Sequence, residues 1–237
     1  MRSALRLAVL GGAQAIFALG CGGSEPLGAK VAHVDAPRLM RPNAPVMQVT
    51  SELGFIDPLQ TKKAFRALDA DFDRCEEQAV RKLAVLSGDL KFFVRVNVTG
   101  HAKYAYLLES TVGDHEVEEC FVKVVEQASF PKPQGGEAEV TYRTNLKASP
   151  ARPATEWSVD RVAHLVQRAR SCKDGSSARY QVTMYVGPGG RSGRVLSVGV
   201  AASETDSDAR VSCILQAVRS GGVPTPGSWP AKVTFEI

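Results

Sequence analysis

Lys91 to Leu108, K-F-F-V-R-V-N-V-T-G-H-A-K-Y-A-Y-L-L, alternates apolar and polar residues on either side of a turn signal. Phe92, Val94, Val96 and Val98 fall on one side; Lys91, Phe93, Arg95 and Asn97 fall on the other. A period of two is the signature of a half-buried strand. Thr99-Gly100-His101 interrupts it, and Tyr104, Tyr106 and Leu108 resume it, which predicts an antiparallel hairpin. The flanks change period. Upstream, Phe65, Leu68, Phe72, Cys75 and Ala79 recur at helical spacing until Gly88 and Asp89 break the pattern. Downstream, Asp114 to Ala128 is helical, with Val117, Cys120, Phe121, Val124 and Val125 facing inward. Pro131 and Pro133 forbid its continuation, and Glu139 to Leu146 reads as a final strand. The order is α-β-β-α-β.

The same order recurs. Val162, Val166, Ala169 and Cys172 mark a helix, Tyr180 to Val186 a strand, Gly187-Pro188-Gly189-Gly190 a turn and Arg194 to Val200 the return strand. Thr205-Asp206-Ser207-Asp208 has the form of a capping box for a helix carrying Ala209, Cys213, Ile214, Ala217 and Val218. Val233 to Ile237 closes the unit. Landmarks match in position as well. Cys75 and Cys120 are 45 residues apart, Cys172 and Cys213 are 41 apart, and Pro131 and Pro224 each follow the second cysteine by 11. A P-x-P stands in both places, and another 11 residues lead to Tyr142 and Phe235. Matched spacing of this kind predicts one unit used twice.

Connection rules then give the geometry. The hairpin is antiparallel, and a helical crossover returning the third strand beside the first makes an antiparallel sheet of order 2-1-3. Both helices cover one face, which sets each cysteine-bearing helix beside its partner. The expected fold is therefore α+β: two tandem units, each a three-stranded antiparallel sheet with two helices on one face and one disulfide. The expected pairs are Cys75–Cys120 and Cys172–Cys213, although four cysteines allow three pairings. Closing loops of this length contributes about 4 kcal/mol each in the chain-entropy model.

The N-terminus reads as an address. Arg2 and Arg6 precede an apolar stretch, Leu7 to Phe17, and small residues end at Cys21. Residues 1–20 have the pattern of a secretory signal, and the apolar stretch is too short to span a bilayer. Ala18-Leu19-Gly20-Cys21 resembles a bacterial lipobox, with Ala18 where that pattern usually has leucine. The resemblance implies that Cys21 becomes the lipid-bearing N-terminus of the mature chain. It also leaves four of the five cysteines, an even set suited to an oxidising compartment. Gly22 follows Cys21 where no aspartate stands, and resemblance to lipoprotein sorting in Gram-negative bacteria then implies an outer-membrane lipoprotein facing the periplasm. Residues 21–60 contain Pro26, Pro37, Pro42, Pro45 and Pro58 and read as a disordered tether. Residues 61–146 and 158–237 are the two units, and 147–157 joins them.

Charge excludes one class of partner. Without Arg2 and Arg6, the 29 basic residues fall to 27, against 25 acidic ones. Nucleic-acid binding needs a concentrated basic surface, and this balance does not supply it. Residues 61–146 hold 12 basic and 14 acidic side chains, and residues 158–237 hold 10 and 6, so the second unit is the more basic. No catalytic residue, cofactor or metal site is expected. His33, His101, His115 and His164 have no metal-ligand spacing with one another or with a cysteine. No nucleophile elbow, phosphate loop or dinucleotide fingerprint occurs. Glu116, Glu118 and Glu119 beside His115 read as acids favoured by a helix N-terminus. Arg161, His164 and Arg168 read as one solvated helix face.

The α-β-β-α-β order, the paired helix cysteines and the F-P-K-P step of Phe130 to Pro133 resemble TonB C-terminal-type domains, in particular those of myxobacterial gliding-motility and other envelope proteins. The match spans 61–146 and is looser in 158–237, where Gly222-Val223-Pro224 replaces the aromatic-proline step. The resemblance implies a fold that engages envelope proteins through strand edges. TonB itself has a membrane-spanning anchor; a lipid in its place implies no transduction of energy. The expected function is a non-catalytic protein-binding or scaffold module. A cell-wall glycan or small ligand held between the units is the alternative.

Overall fold

The first helix starts where capping dictates. Asp57 accepts hydrogen bonds from the amides of Leu59 and Gln60 at 2.8 and 3.0 Å, and Pro58 takes the first helical position, where no amide is needed. The structure, a computed structural model, describes residues 53–147, 152–204 and 208–237. The signal segment 1–20, Cys21, His33 and the capping residues Thr205 to Ser207 lie outside them.

The periodic run from Phe65 to Ala79 is two helices rather than one. Helix α1 is Pro58–Arg66 and α2 is Asp69–Lys82. The amides of Ala67 and Leu68 reach back to Ala64 and Phe65, a tightened turn that re-aims the chain. Phe65 thereby packs on Phe130 and Tyr142, while Phe72 meets Phe92 and Phe121. The folded part also begins before residue 61: Leu53 and Phe55 bridge Glu137 and Gln134, inside the stretch read as tether.

Strands β1 (Gly88–Val96), β2 (Ala102–Ser110) and β3 (Ala138–Leu146) form an antiparallel sheet of order β2-β1-β3. Helix α3 is His115–Glu126, capped by Asp114, whose carboxylate accepts from the amide of Val117. Cys75 on α2 is bonded to Cys120 on α3, with Cα atoms 5.9 Å apart. The core between helices and sheet is built from Phe65, Phe72, Phe92, Val94, Phe121 and Val125, all buried.

The second sheet is larger than expected. Strand β4 is Thr155–Glu156, α4 is Ala163–Arg170, β5 is Tyr180–Gly189, β6 is Ser192–Ala202, α5 is Asp208–Arg219 and β7 is Ala231–Glu236. Strands β6-β5-β7 repeat the antiparallel 2-1-3 arrangement, but β4 adds a fourth strand, parallel to β7. The amide of Thr155 donates to Pro230 and that of Trp157 to Lys232, so part of the stretch read as linker is paired. Gly187-Pro188-Gly189 belongs to the β5 ladder, and the turn falls at Gly190 and Arg191, with Gly190 at φ +82°. Cys172, in the turn after α4, is bonded to Cys213 on α5. Both sheets lie in one compact unit, and they remain two separate sheets. Among the described residues no helix is long and apolar enough to cross a membrane.

Candidate binding site

A helix covers one face of each sheet, so the question is what covers the other. In the second sheet the outward residues of β5 are Gln181, Thr183 and Tyr185, and the first half of the chain covers them. The side-chain oxygen of Gln181 accepts from the amide of Ser110 at 2.8 Å, and Thr183 donates to the carbonyl of Ser110. The Tyr185 hydroxyl accepts from the amide of Ser87 and donates to its carbonyl, at 3.1 and 3.0 Å. Lys232 donates to that same carbonyl. Tyr185 is fully buried and joins the first half's core. Gly113, at φ +77°, lies where a side chain would collide with Thr183 and Tyr185. Burial also pushes the Tyr185 phenol up and the Lys232 ammonium down from their ordinary ranges.

Glu118 is the unexpected member of this contact. It reads in sequence as one of several helix-terminal acids, yet it is 2% exposed. Its carboxylate accepts from the Ser110 hydroxyl at 2.6 Å, the Gly113 amide at 3.2 Å and the Val200 amide at 3.1 Å. Val200 belongs to β6, so one side chain of α3 reaches across the halves. Gly199 beside it has no room for a Cβ, because the carboxylate fills that space. Burial, against these three donors, pushes the carboxyl up to about 7. The sequence held a signal: Glu118 adjoins Val117 and stands three residues before Phe121, within the apolar stripe of α3.

Among the described residues, no element covers the helix-free face of the first sheet in this way. Phe93 on β1 and Tyr104 and Tyr106 on β2 form an aromatic cluster on its helix-free face, with centroids 5.0 to 6.4 Å apart. Ion pairs flank the rings. Glu109 bonds Lys91 and Arg143; Arg95 bonds Glu137 and Glu139; Lys103 also reaches Glu137. The edges of this sheet differ. Beyond the bridges from Leu53 and Phe55, the outer side of β3 has no strand beside it among the described residues. Leu53 and Phe55 are themselves exposed. The other edge, β2, faces a groove of about 630 Å³ whose opposite wall is β6 and α5.

The other residues singled out in sequence do not converge. His101 is exposed just before β2 and bridges Ser129, and His115 pairs with Glu119 at 3.2 Å. The His164 ring donates from Nε2 to the carbonyl of Gly222 at 2.6 Å. Arg161 lies over Trp157, and Arg168 bonds Ser220, so this helix face is engaged within the molecule. Among the described residues no group of histidine, cysteine, aspartate and glutamate is placed to hold a metal ion. Comparison with known proteins finds no matching family model, curated protein or solved structure.

Proposed function

We propose that this chain is a lipid-anchored, non-catalytic binding module of the cell envelope, held by Cys21 and facing the periplasm. Its partner is an envelope protein that adds an extended segment to an edge of the first sheet. The observation carrying this reading is that the two sheets do not merge, so β2 and β3 each keep one side unpaired among the described residues. An unpaired edge is a template for strand addition, with main-chain bonds giving affinity and side-chain pockets giving specificity. The halves are one α-β-β-α-β unit used twice, of the TonB C-terminal type. The repeated 2-1-3 order and the two disulfides at matched positions support that reading. In the pair, the second copy serves as a platform for the first.

The test is capture from detergent-solubilised envelopes followed by hydrogen exchange. A defined protein should co-purify and slow the exchange of amides in β2 or β3. Protection confined to α4 and α5 would overturn the assignment. Replacing Cys21 by serine should release the chain from membranes; continued membrane association would remove the anchor. A second reading, a glycan or small ligand between the halves, rests on the groove beside β2.

A further inference from the structure

The groove beside β2 is lined by more carboxylates than cationic groups, and that lining refines the reading above, on which the inference rests. Strand β2 pairs with β1 alone, and its Tyr104 to Leu107 line the groove, with β6 packed close beside the strand. Beyond that edge stand α3 on one side and β6 with α5 on the other. Glu119 and Glu126 project from α3, and Glu204 and Asp208 stand across from them. Lys123 is the one lysine or arginine among the described lining residues, and it is already bonded to Glu119. The cationic surplus of the second half therefore does not reach this groove. Tyr104 and Tyr106 add ring faces to the wall, and aromatic faces attract cations. Burial first, with the neighbouring Tyr104 phenol and the Glu139 and Glu204 carboxylates, holds the Tyr106 phenol above its ordinary range. Glu118 closes the deep end by occupying the Val200 amide, so β6 cannot offer that group to an incoming chain.

We propose that this groove takes an extended, lysine- or arginine-bearing peptide segment, paired by its main chain to β2 and flanked by carboxylates on both sides. Successive side chains of a strand point to opposite faces. One set then runs along α3 toward Glu119 and Glu126. The other runs along the Tyr104–Tyr106 side toward Glu204. A neutral glycan would gain the rings but leave this charge unanswered, so the peptide is the better fit. Charge of this kind governs encounter and partner choice more than total affinity.

The test uses the full chain in detergent micelles and fluorescence anisotropy. The probes are a labelled decapeptide alternating lysine and threonine, one alternating serine and threonine, and an uncharged chitotetraose. The lysine peptide should bind, weaken steeply as salt rises from about 50 to about 500 mM, and slow exchange at Tyr104 to Leu107. Replacing Glu126 and Glu204 by glutamine and Asp208 by asparagine should weaken it about tenfold, a small contribution from each exposed charge. Equal binding of the serine peptide would overturn the charge assignment and leave strand addition standing. Binding of the chitotetraose alone would overturn it in favour of the glycan. Slowed exchange at β3 with none at β2 would overturn the groove while leaving the broader reading intact.

Discussion

The two sheets share an arrangement and differ in what covers them. In the second, β5 is buried on both faces: helices pack on Val182, Met184 and Val186, and the first half packs on Gln181, Thr183 and Tyr185. In the first, β1 is buried on one face only, and its other face presents Lys91, Phe93 and Arg95. The outward chemistry follows. On the covered face, the neutral polar groups of β5 and the Lys232 ammonium of β7 bond to backbone across the contact, which is how a polar group is buried without loss. The open face carries ion pairs and aromatic rings, which remain stable in water. Two sheets that share the antiparallel 2-1-3 order thus differ through a few outward positions. In the function proposed above, the covered sheet is the platform and the open one offers the surface.

The contrast breaks most visibly at the central residues of each face. Tyr185→Ala should cost about 4 kcal/mol, because a buried ring and two interfacial hydrogen bonds are lost. Phe93→Ala, on the open face, should cost about 1 kcal/mol. Chemical denaturation of the two variants measures both, and equal losses would erase the distinction. Removing the staples probes whether the halves stand alike beneath their covers. The Cys75/Cys120 and Cys172/Cys213 serine pairs should each cost about 4 kcal/mol, since the closed loops are nearly equal.

Glu118 sharpens the comparison through pH. Its carboxyl, raised from 4.5 to about 7, stays protonated in the folded chain while the unfolded chain ionises. Its contribution is therefore fully present below about pH 4.5 and is lost as pH rises through about 7. Stability should fall by about 3 kcal/mol across that window. Glu118→Gln should flatten this fall, and an unchanged slope would place its origin elsewhere. The smallest effect belongs to the open face: Lys91→Ala, which breaks a half-buried pair with Glu109, should change stability by about 1 kcal/mol or less.

Much of this was legible in the sequence. Alternation at Phe92, Val94 and Val96 marked β1, helical spacing placed Cys75 and Cys120 on facing helices, and handedness arranged the strands. What escaped depended on contacts between distant parts of the chain. Glu118 has the local setting of any acid near a helix start, and only the arrival of Val200 and Gly199 makes it a buried acceptor. Gly113 reads as a loop glycine until Tyr185 lies against it. The two-residue strand β4 has no period to detect, and the break at Ala67 and Leu68 lies inside an unbroken apolar stripe. Outward residues of β5 were equally opaque. Tyr185 looks like any strand tyrosine, and its hydroxyl acquires a role only when Ser87 is brought to it.

The asymmetry between the sheets meets its most direct test in hydrogen exchange of the full chain, alone and with any protein captured from envelopes as its proposed partner. Amides of β5 should exchange slowly in both states, because the first half already seals that sheet. Amides of β2 or β3 should slow only when the partner is bound. Fast exchange along β5 in the free chain, or partner protection confined to the second half, would contradict the account.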